Sequence, residues 1–400
     1  MSKDAALAET QSLLAALQSL DLSDNTQRVA LLRQTNRIRA ALETPLELAS
    51  RWMETVAAAG ALQLLIRIGV FDRLPADGTP ISAAELAQQA GVDASVVTRC
   101  MRILVAQGLV EEMKGDVYKR NGLSDFFKSD KLGAMMCTGF MFARIWAMFP
   151  DYVKTHTPED LWDVTKSPFV WTIGQEGKSF YEVLDTCLDP VQRSLFDLTM
   201  TNVEGMYPTR DMFPFREMKG QVELEPERPF VVDVGGGRGQ VLKVIREEAG
   251  EIKGGRYILQ DLPIVIESLK GEDLGEGIEV IAYDFFAEQP VKNAHIYFFR
   301  MILHGFNDAM SVQILKNTVS AMGPDSRLIV CEKLVPDMVP VGGSTELYWL
   351  DMLMMSVGGK ERTVADFQRV FDHAGLELVG VYRSKTSQAA MLEGRLKRVA

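Results

Sequence analysis

The feature that most constrains this chain is a junction. The strand-like run FVVDV passes directly into Gly235-Gly236-Gly237-Arg238-Gly239 and then into the helical segment QVLKVIREEA. From Pro229 onward, further β-rich runs (RYILQ, IEVIAY, HIYFFRMIL, SRLIVCEKL, LELVGVY) alternate with helical segments. Such alternation predicts an α/β fold: a mostly parallel, doubly wound sheet with helices on both faces. Ligands of these sheets bind beyond the carboxyl ends of the strands. The glycine turn after the first strand is therefore the first place to look for a site.

A glycine turn lets the backbone approach a ligand with no Cβ in the way. Alone it fits a nicotinamide, a flavin or S-adenosylmethionine (SAM). Asp261 follows RYILQ, 22 residues past Gly239, at a strand end where a carboxylate accepts from ribose hydroxyls. Asp284, in IAYDFF, is placed to accept from an adenine amino group with Phe285 beside the ring. A dinucleotide frame G-x-G-x-x-G gives Gly235, Gly237 and then Gln240, so the third glycine is missing. Together with the glycine spacing this favours SAM, which has no pyrophosphate to cradle.

The rest of the chain adds domains rather than a second chemistry. Four hundred residues predict two or three domains. A net charge of −11 disfavours nucleic acid and anionic membrane as partners. Cys100, Cys137, Cys187 and Cys331 lie far apart without metal spacing, and no basic n-region precedes an apolar block, so free thiols and a cytoplasmic location are expected. No uncharged apolar stretch reaches the roughly 18 residues of a membrane span; the nearest is Ala57 to Leu65.

Residues 1–44 read as a helical arm, with Ser23 and Asp24 as turn and cap. Residues 45–128 read as helices followed by a hairpin turning at Lys114-Gly115-Asp116, a winged-helix arrangement. Around its third helix, Arg99, Arg102, Lys114, Lys119 and Arg120 face Asp93, Glu111, Glu112 and Asp116, too balanced for phosphate contact. Structure or dimerisation is the expected role. Residues 129–222 form a helical linker. Its Met and aromatic cluster, running from Met135 to Tyr207, is expected to wall a substrate pocket. Residues 223–400 make the cofactor-binding domain.

The motifs VVDVGGGRG, QDLP, YDFF, FRMILHGFND, CEKLVP and DMLMMSVGGKERT occur in an order and spacing that resemble the class I SAM-dependent O-methyltransferases with an N-terminal winged-helix dimerisation domain. That family includes the plant caffeate-type enzymes and fungal secondary-metabolism relatives. The resemblance runs from about Pro45 to Tyr382, and SPFVWTIGQEGKSFYEVL resembles the fungal branch. It implies a Rossmann-like sheet with a reversed last strand, a homodimer, and methylation of a hydroxyl on an aromatic or polyketide-like small molecule. It also implies cofactor contacts from Gly235, Gly236, Gly237, Gly239, Asp261, Leu262, Asp284, Phe285 and Arg300.

Of four histidines, His304 alone lies just past the strand IYFFRMIL, at the edge where the cofactor pocket is expected. The resemblance makes it the general base, with Glu332 and Glu361 on either side of the imidazole and Asp351 shaping the acceptor site. The chemistry is consistent. A sulfonium methyl is already activated, so the protein mainly positions the acceptor and removes its proton. A phenol near pKa ~10 is mostly neutral at pH 7, and an imidazole near ~6.5 takes its proton as the bond to carbon forms. No metal is required. The plant pattern has an acidic residue directly after the histidine, whereas Gly305 follows here, which implies a less polar or differently placed acceptor ring. A second class stays open: a SAM-binding enzyme that steers a pericyclic or dehydration reaction without transferring methyl, for which Gly305 and Lys333 beside Glu332 speak.

Overall fold

The computed structural model describes residues 3–21, 23–203, 209–271, 273–275, 277–341 and 344–397. They form two compact units, one of Arg39–His156 with Pro168–Met206, the other of Met1–Ile38, Thr157–Ser167 and Tyr207–Ala400.

In the first unit, local sequence starts each helix. Thr44 and Glu47 form a capping box with Pro45 in the first turn, opening the helix Pro45–Arg67. Ser82 and Glu85 repeat the device for Ala83–Ala90, and Asp93 caps Ala94–Ala106. The wing is β1 (Ile81–Ser82), β2 (Val110–Lys114) and β3 (Val117–Arg120) in the order β1-β3-β2, all antiparallel, turning through Asp116 at φ 60°. Leu65, Leu86, Val97, Met101 and Tyr118 are fully buried at its centre.

The helix Leu132–Thr155 is the one described helix long and apolar enough to cross a membrane by length and composition. Arg144 interrupts its apolar run, so no uncharged stretch of span length occurs within it. It packs against Pro45–Arg67 and Pro190–Val203 in the same unit, with 28% of its apolar window buried. Part of the Met and aromatic cluster packs as core. Phe142, Phe169 and Phe180 turn toward one another, with ring centroids 4.9–6.3 Å apart, and are buried. These rings are core of the first unit. The four segments read from sequence do not match the compact units: most of 129–222 joins the winged-helix unit, 157–167 and 209–222 join the other, and Tyr207 lies outside the described residues.

The second unit carries β4 (Pro229–Val234), β5 (Arg256–Asp261), β6 (Ile278–Ala282), β7 (Ile296–Arg300), β8 (Arg327–Lys333), β9 (Leu376–Arg383) and β10 (Ala389–Leu396). The order is β6-β5-β4-β7-β8-β10-β9. β4 to β8 run parallel, and β10 is inserted antiparallel between β8 and β9, the reversed last strand that the resemblance implies. β4 and β7 are central and read as near-continuous apolar runs because helices cover both faces. Reversal of strand order about β4 puts the carboxyl ends of β4, β5, β6 and β7 side by side.

Candidate active site

Those strand ends gather the expected cofactor residues. Gly235, Gly237 and Gly239 all have positive φ (71°, 57° and 74°), a backbone course open to glycine. A Cβ on Gly235 would lie 2.6 Å from Ile302 Cδ1, and one on Gly236 2.5 Å from Asp233 Oδ2, so the turn is pressed against the strands beneath it. A Cβ on Gly237 would enter open space. Gly235 and Gly236 donate their N–H to the Gln260 carbonyl, which ties the turn to β5.

Asp261 ends β5. Its Oδ2 accepts from Gly237 N at 2.8 Å and its Oδ1 from Leu262 N at 2.7 Å. Burial raises its pKa, against the lowering effect of these two N–H groups. The expectation that Asp261 serves ribose hydroxyls is thus refined: each oxygen already holds one backbone donor and keeps one lone-pair site for a ligand. Asp284 is exposed and its Oδ1 accepts from Phe286 N, while Phe285 stands half-buried against Phe286 and Phe306 with centroids 5.2 and 5.7 Å away. Leu262 is 39% exposed, and Arg300 ends β7 half-buried. A glycine cradle, a carboxylate at the next strand end and an apolar ring at the third fit an adenosine-bearing cofactor.

Asp261→Ala is expected to weaken SAM binding by about 1.5–3 kcal/mol, the range for hydrogen bonds to charged groups. Calorimetry that finds unchanged affinity removes Asp261 from the cofactor site.

His304 sits in a short turn after β7. Its Nδ1 lies 2.8 Å from Glu361 Oε1, with the imidazole 12% and the carboxylate 1% exposed. Glu332 at the end of β8 does something the sequence did not reveal. Rather than flanking the ring through a hydrogen bond, its Oε1 accepts backbone N–H groups from Ile302 (3.0 Å), Leu303 (2.9 Å) and His304 (3.4 Å). The approach to that turn passes through Met301 at φ 53°, a conformation non-glycine residues adopt at a cost. The bonds to Glu332 offset that cost. Oε2 of Glu332 and Oε2 of Glu361 are buried with no hydrogen-bond partner among the described residues.

The charge balance follows. Burial opposes a charged imidazole, but the carboxylates of Glu332 and Glu361 outweigh it and push His304 up to about 9. Burial likewise raises the pKa of Glu332. Ligating atoms of His304, Glu332 and Glu361 lie within 4.8 Å of one another, a spacing invisible in sequence. The protein's own donors already serve both Oε1 atoms.

The segment Gly358-Gly359-Lys360-Glu361-Arg362-Thr363 wraps this turn as a loop. Lys360 N donates to the His304 carbonyl at 2.9 Å, and Glu361 N donates to Asp351 Oδ1 at 2.8 Å. A Cβ on Gly359 would fall on the His304 carbonyl oxygen and 2.9 Å from the Gly305 carbonyl carbon. Arg362, fully buried, donates to the carbonyls of Leu303 (2.6 Å) and Phe306 (2.8 Å), to Ser311 Oγ (3.1 Å) and to Asp308 Oδ1 (2.9 Å). Thr363 then caps the helix Val364–Ala374. Trp162, expected in the pocket wall, lies in this unit: its carbonyl accepts from Asn307 Nδ2 at 2.9 Å, and Lys360 Nζ stands 5.9 Å from its ring. Sequence reading missed Gly359, Asp308 and Arg362; the arginine directly after Glu361 was the available signal.

Comparison with known proteins agrees with this geometry. Residues 195–377 match the O-methyltransferase domain family and residues 50–130 the O-methyltransferase dimerisation domain. O-methyltransferase hmp5 of Hypomyces subiculosus is 36% identical over 392 residues, covering 97% of both chains. The structure of OxaC in complex with SAH and oxaline superposes with a TM-score of 0.85 at 27% identity, over 99% of this chain and 100% of that one. That of LepI with SAM gives 0.84 at 26% identity, over 99% and 100%. The chain belongs to the SAM-dependent O-methyltransferases that carry an N-terminal dimerisation domain.

Proposed function

We propose that the enzyme methylates a hydroxyl of an aromatic or polyketide-like small molecule, with His304 as general base. The observation that carries this reading is the 2.8 Å contact between His304 Nδ1 and Glu361 Oε1, beside the glycine cradle at the carboxyl edge of the sheet. SAM supplies a methyl group on a sulfonium, activated for in-line displacement. With Nδ1–H donated to Glu361, Nε2 is the nitrogen left to take the acceptor's proton, and the Glu361 carboxylate stabilises the imidazolium that results. Glu332 acts by holding the backbone of residues 302–304, which fixes where the ring stands. A ring pushed up to about 9 is charged at neutral pH and has no vacancy for a proton. It gives up that proton when a second cation is held close by, because like charges disfavour the protonated form.

We infer that the enzyme works as a homodimer in a reducing cytoplasm. The dimerisation-domain match and the exposed Leu46, Trp52, Met53 and Val56 on the helix Pro45–Arg67 support the dimer, and free thiols at all four cysteines support the compartment. The charged ring also favours a second reading, in which the imidazolium donates a proton and bound SAM steers a pericyclic or dehydration reaction; the likeness, at a TM-score of 0.84 and 25% identity, to a structure described as a pericyclic reaction enzyme points the same way. Incubation with SAM and a panel of phenols and polyketides separates the two. Methyl transfer yields one SAH for each methylated product, whereas an isomerised or dehydrated product with SAM unconsumed overturns the first reading.

A further inference from the structure

The turn that carries His304 is gripped on both of its polar edges. Its N–H groups point at Glu332, and its carbonyls at Leu303 and Phe306 are held by the Arg362 fork, with the His304 carbonyl between them held by Lys360 N. Arg362 has no exposed surface, so its charge is not screened by water, and its counter-ion is Asp308, whose side chain is 47% exposed and shared with Lys360 at 2.9 Å. A buried guanidinium with a half-exposed partner keeps an unscreened positive charge beside the turn, set against the carboxylates of Glu332 and Glu361.

We propose that Arg362 is a positioning residue for the base: its fork fixes the turn on which His304 stands, and its buried charge opposes protonation of the ring. This rests on the reading of His304 as base. The groups facing the ring from the surrounding elements are Glu332 on β8 and Glu361 and Arg362 on the 358–363 loop. Beyond them stand Asp351 from the helix Glu346–Ser356, Asp308 at the start of the helix Asp308–Val319, Lys360, and the Lys333–Glu346 pair at 2.5 Å. Two carboxylates raise the affinity of the ring for a proton, and Arg362 is the close cation that restrains them. Without it, the base would hold its proton to still higher pH.

The charge role and the structural role separate in three variants of the full-length protein. The readouts are the titration of His304 by NMR of histidine-labelled protein, and the pH dependence of methyl transfer. Arg362→Met should move the His304 titration up by roughly one pH unit or more, the size of a close charge effect. Arg362→Lys keeps the charge but not the fork, so it should titrate near wild type while kcat falls by roughly tenfold or more from a misplaced turn. Asp308→Asn, at a half-exposed position, leaves Arg362 and Lys360 less compensated and should move the titration down. A residue that only props the fold predicts loss of stability without these opposed shifts. If Asp308→Asn and a folded Arg362→Met both titrate as wild type, the proposal is wrong; if Arg362→Met does not fold, an unshifted Asp308→Asn alone overturns it. The NMR readout needs no turnover. Failure here is therefore distinct from failure of the base reading, which His304→Ala tests through activity.

Discussion

Replacing His304 by alanine is expected to slow methyl transfer by roughly 10²–10⁴, the usual size of a general-base contribution. SAM should still bind, because the contacts expected to hold the cofactor come from the glycine turn and the ends of β5 and β6, and at neutral pH it should bind about tenfold more tightly once the charged ring that opposes the sulfonium is gone. Glu361→Gln should cost less, since it keeps the shape of the partner at Nδ1 and removes only the charge that favours imidazolium. The pH dependence has a definite sign. Only the neutral ring accepts a proton, so wild-type activity rises with pH through the ring's pKa in the loaded enzyme, and the alanine variant loses that limb. Single-turnover rates across the pH range check both statements. A variant that transfers methyl at the wild-type rate would remove His304 from the chemistry.

Gly359→Ala is expected to have the second largest effect, although residue 359 carries no functional group. The new methyl would occupy the space of the His304 carbonyl oxygen and crowd the Gly305 backbone. Neither neighbour is the movable end of a side chain. The turn must shift as a unit, and a displacement near 1 Å at a reacting group costs about 10²-fold in rate. SAM binding should stay intact because the cradle at Gly235 to Gly239 lies on a different strand connection. Calorimetry for SAM together with kcat for transfer checks this. Unchanged kcat in a folded variant would show that the turn tolerates movement and that its tight clamping is irrelevant to rate.

Much of the fold was legible because its signals are local. Capping pairs such as Thr44 with Glu47 and Ser82 with Glu85 lie three residues apart, and the buried strands FVVDV and IYFFR announce themselves by continuous apolar runs. The site was legible only in part. His304, Glu361 and the glycine turn carry chemistry that residue type and position along the strands reveal. The true partners of Glu332 are backbone N–H groups, which no sequence marks. Arg362 and Gly359 act on a turn more than fifty residues earlier in the chain, a contact created by the fold. The aromatic residues of 135–207 divide for a physical reason: at helical spacing, rings serve a core and a ligand wall equally well, and here Phe142 and Phe169 are buried against one another while Trp162 and Tyr181 keep exposed surface.

The central claim is that His304 becomes a base when the cofactor is bound. Histidine-labelled protein contains four histidines, and His295, pushed down to about 4 by burial and by the Arg228 charge, stays neutral above that pH, which leaves few signals to assign. The decisive measurement is the titration of His304 between about pH 5 and about pH 10 with SAM bound and with SAH bound, in the absence of acceptor. SAM carries a sulfonium and SAH a neutral thioether, so the two complexes differ by one charge near the ring. The account predicts that His304 loses its proton roughly one pH unit or more lower with SAM than with SAH. Equal titration in the two complexes, or a ring that stays charged past pH 9 with SAM bound, would contradict it.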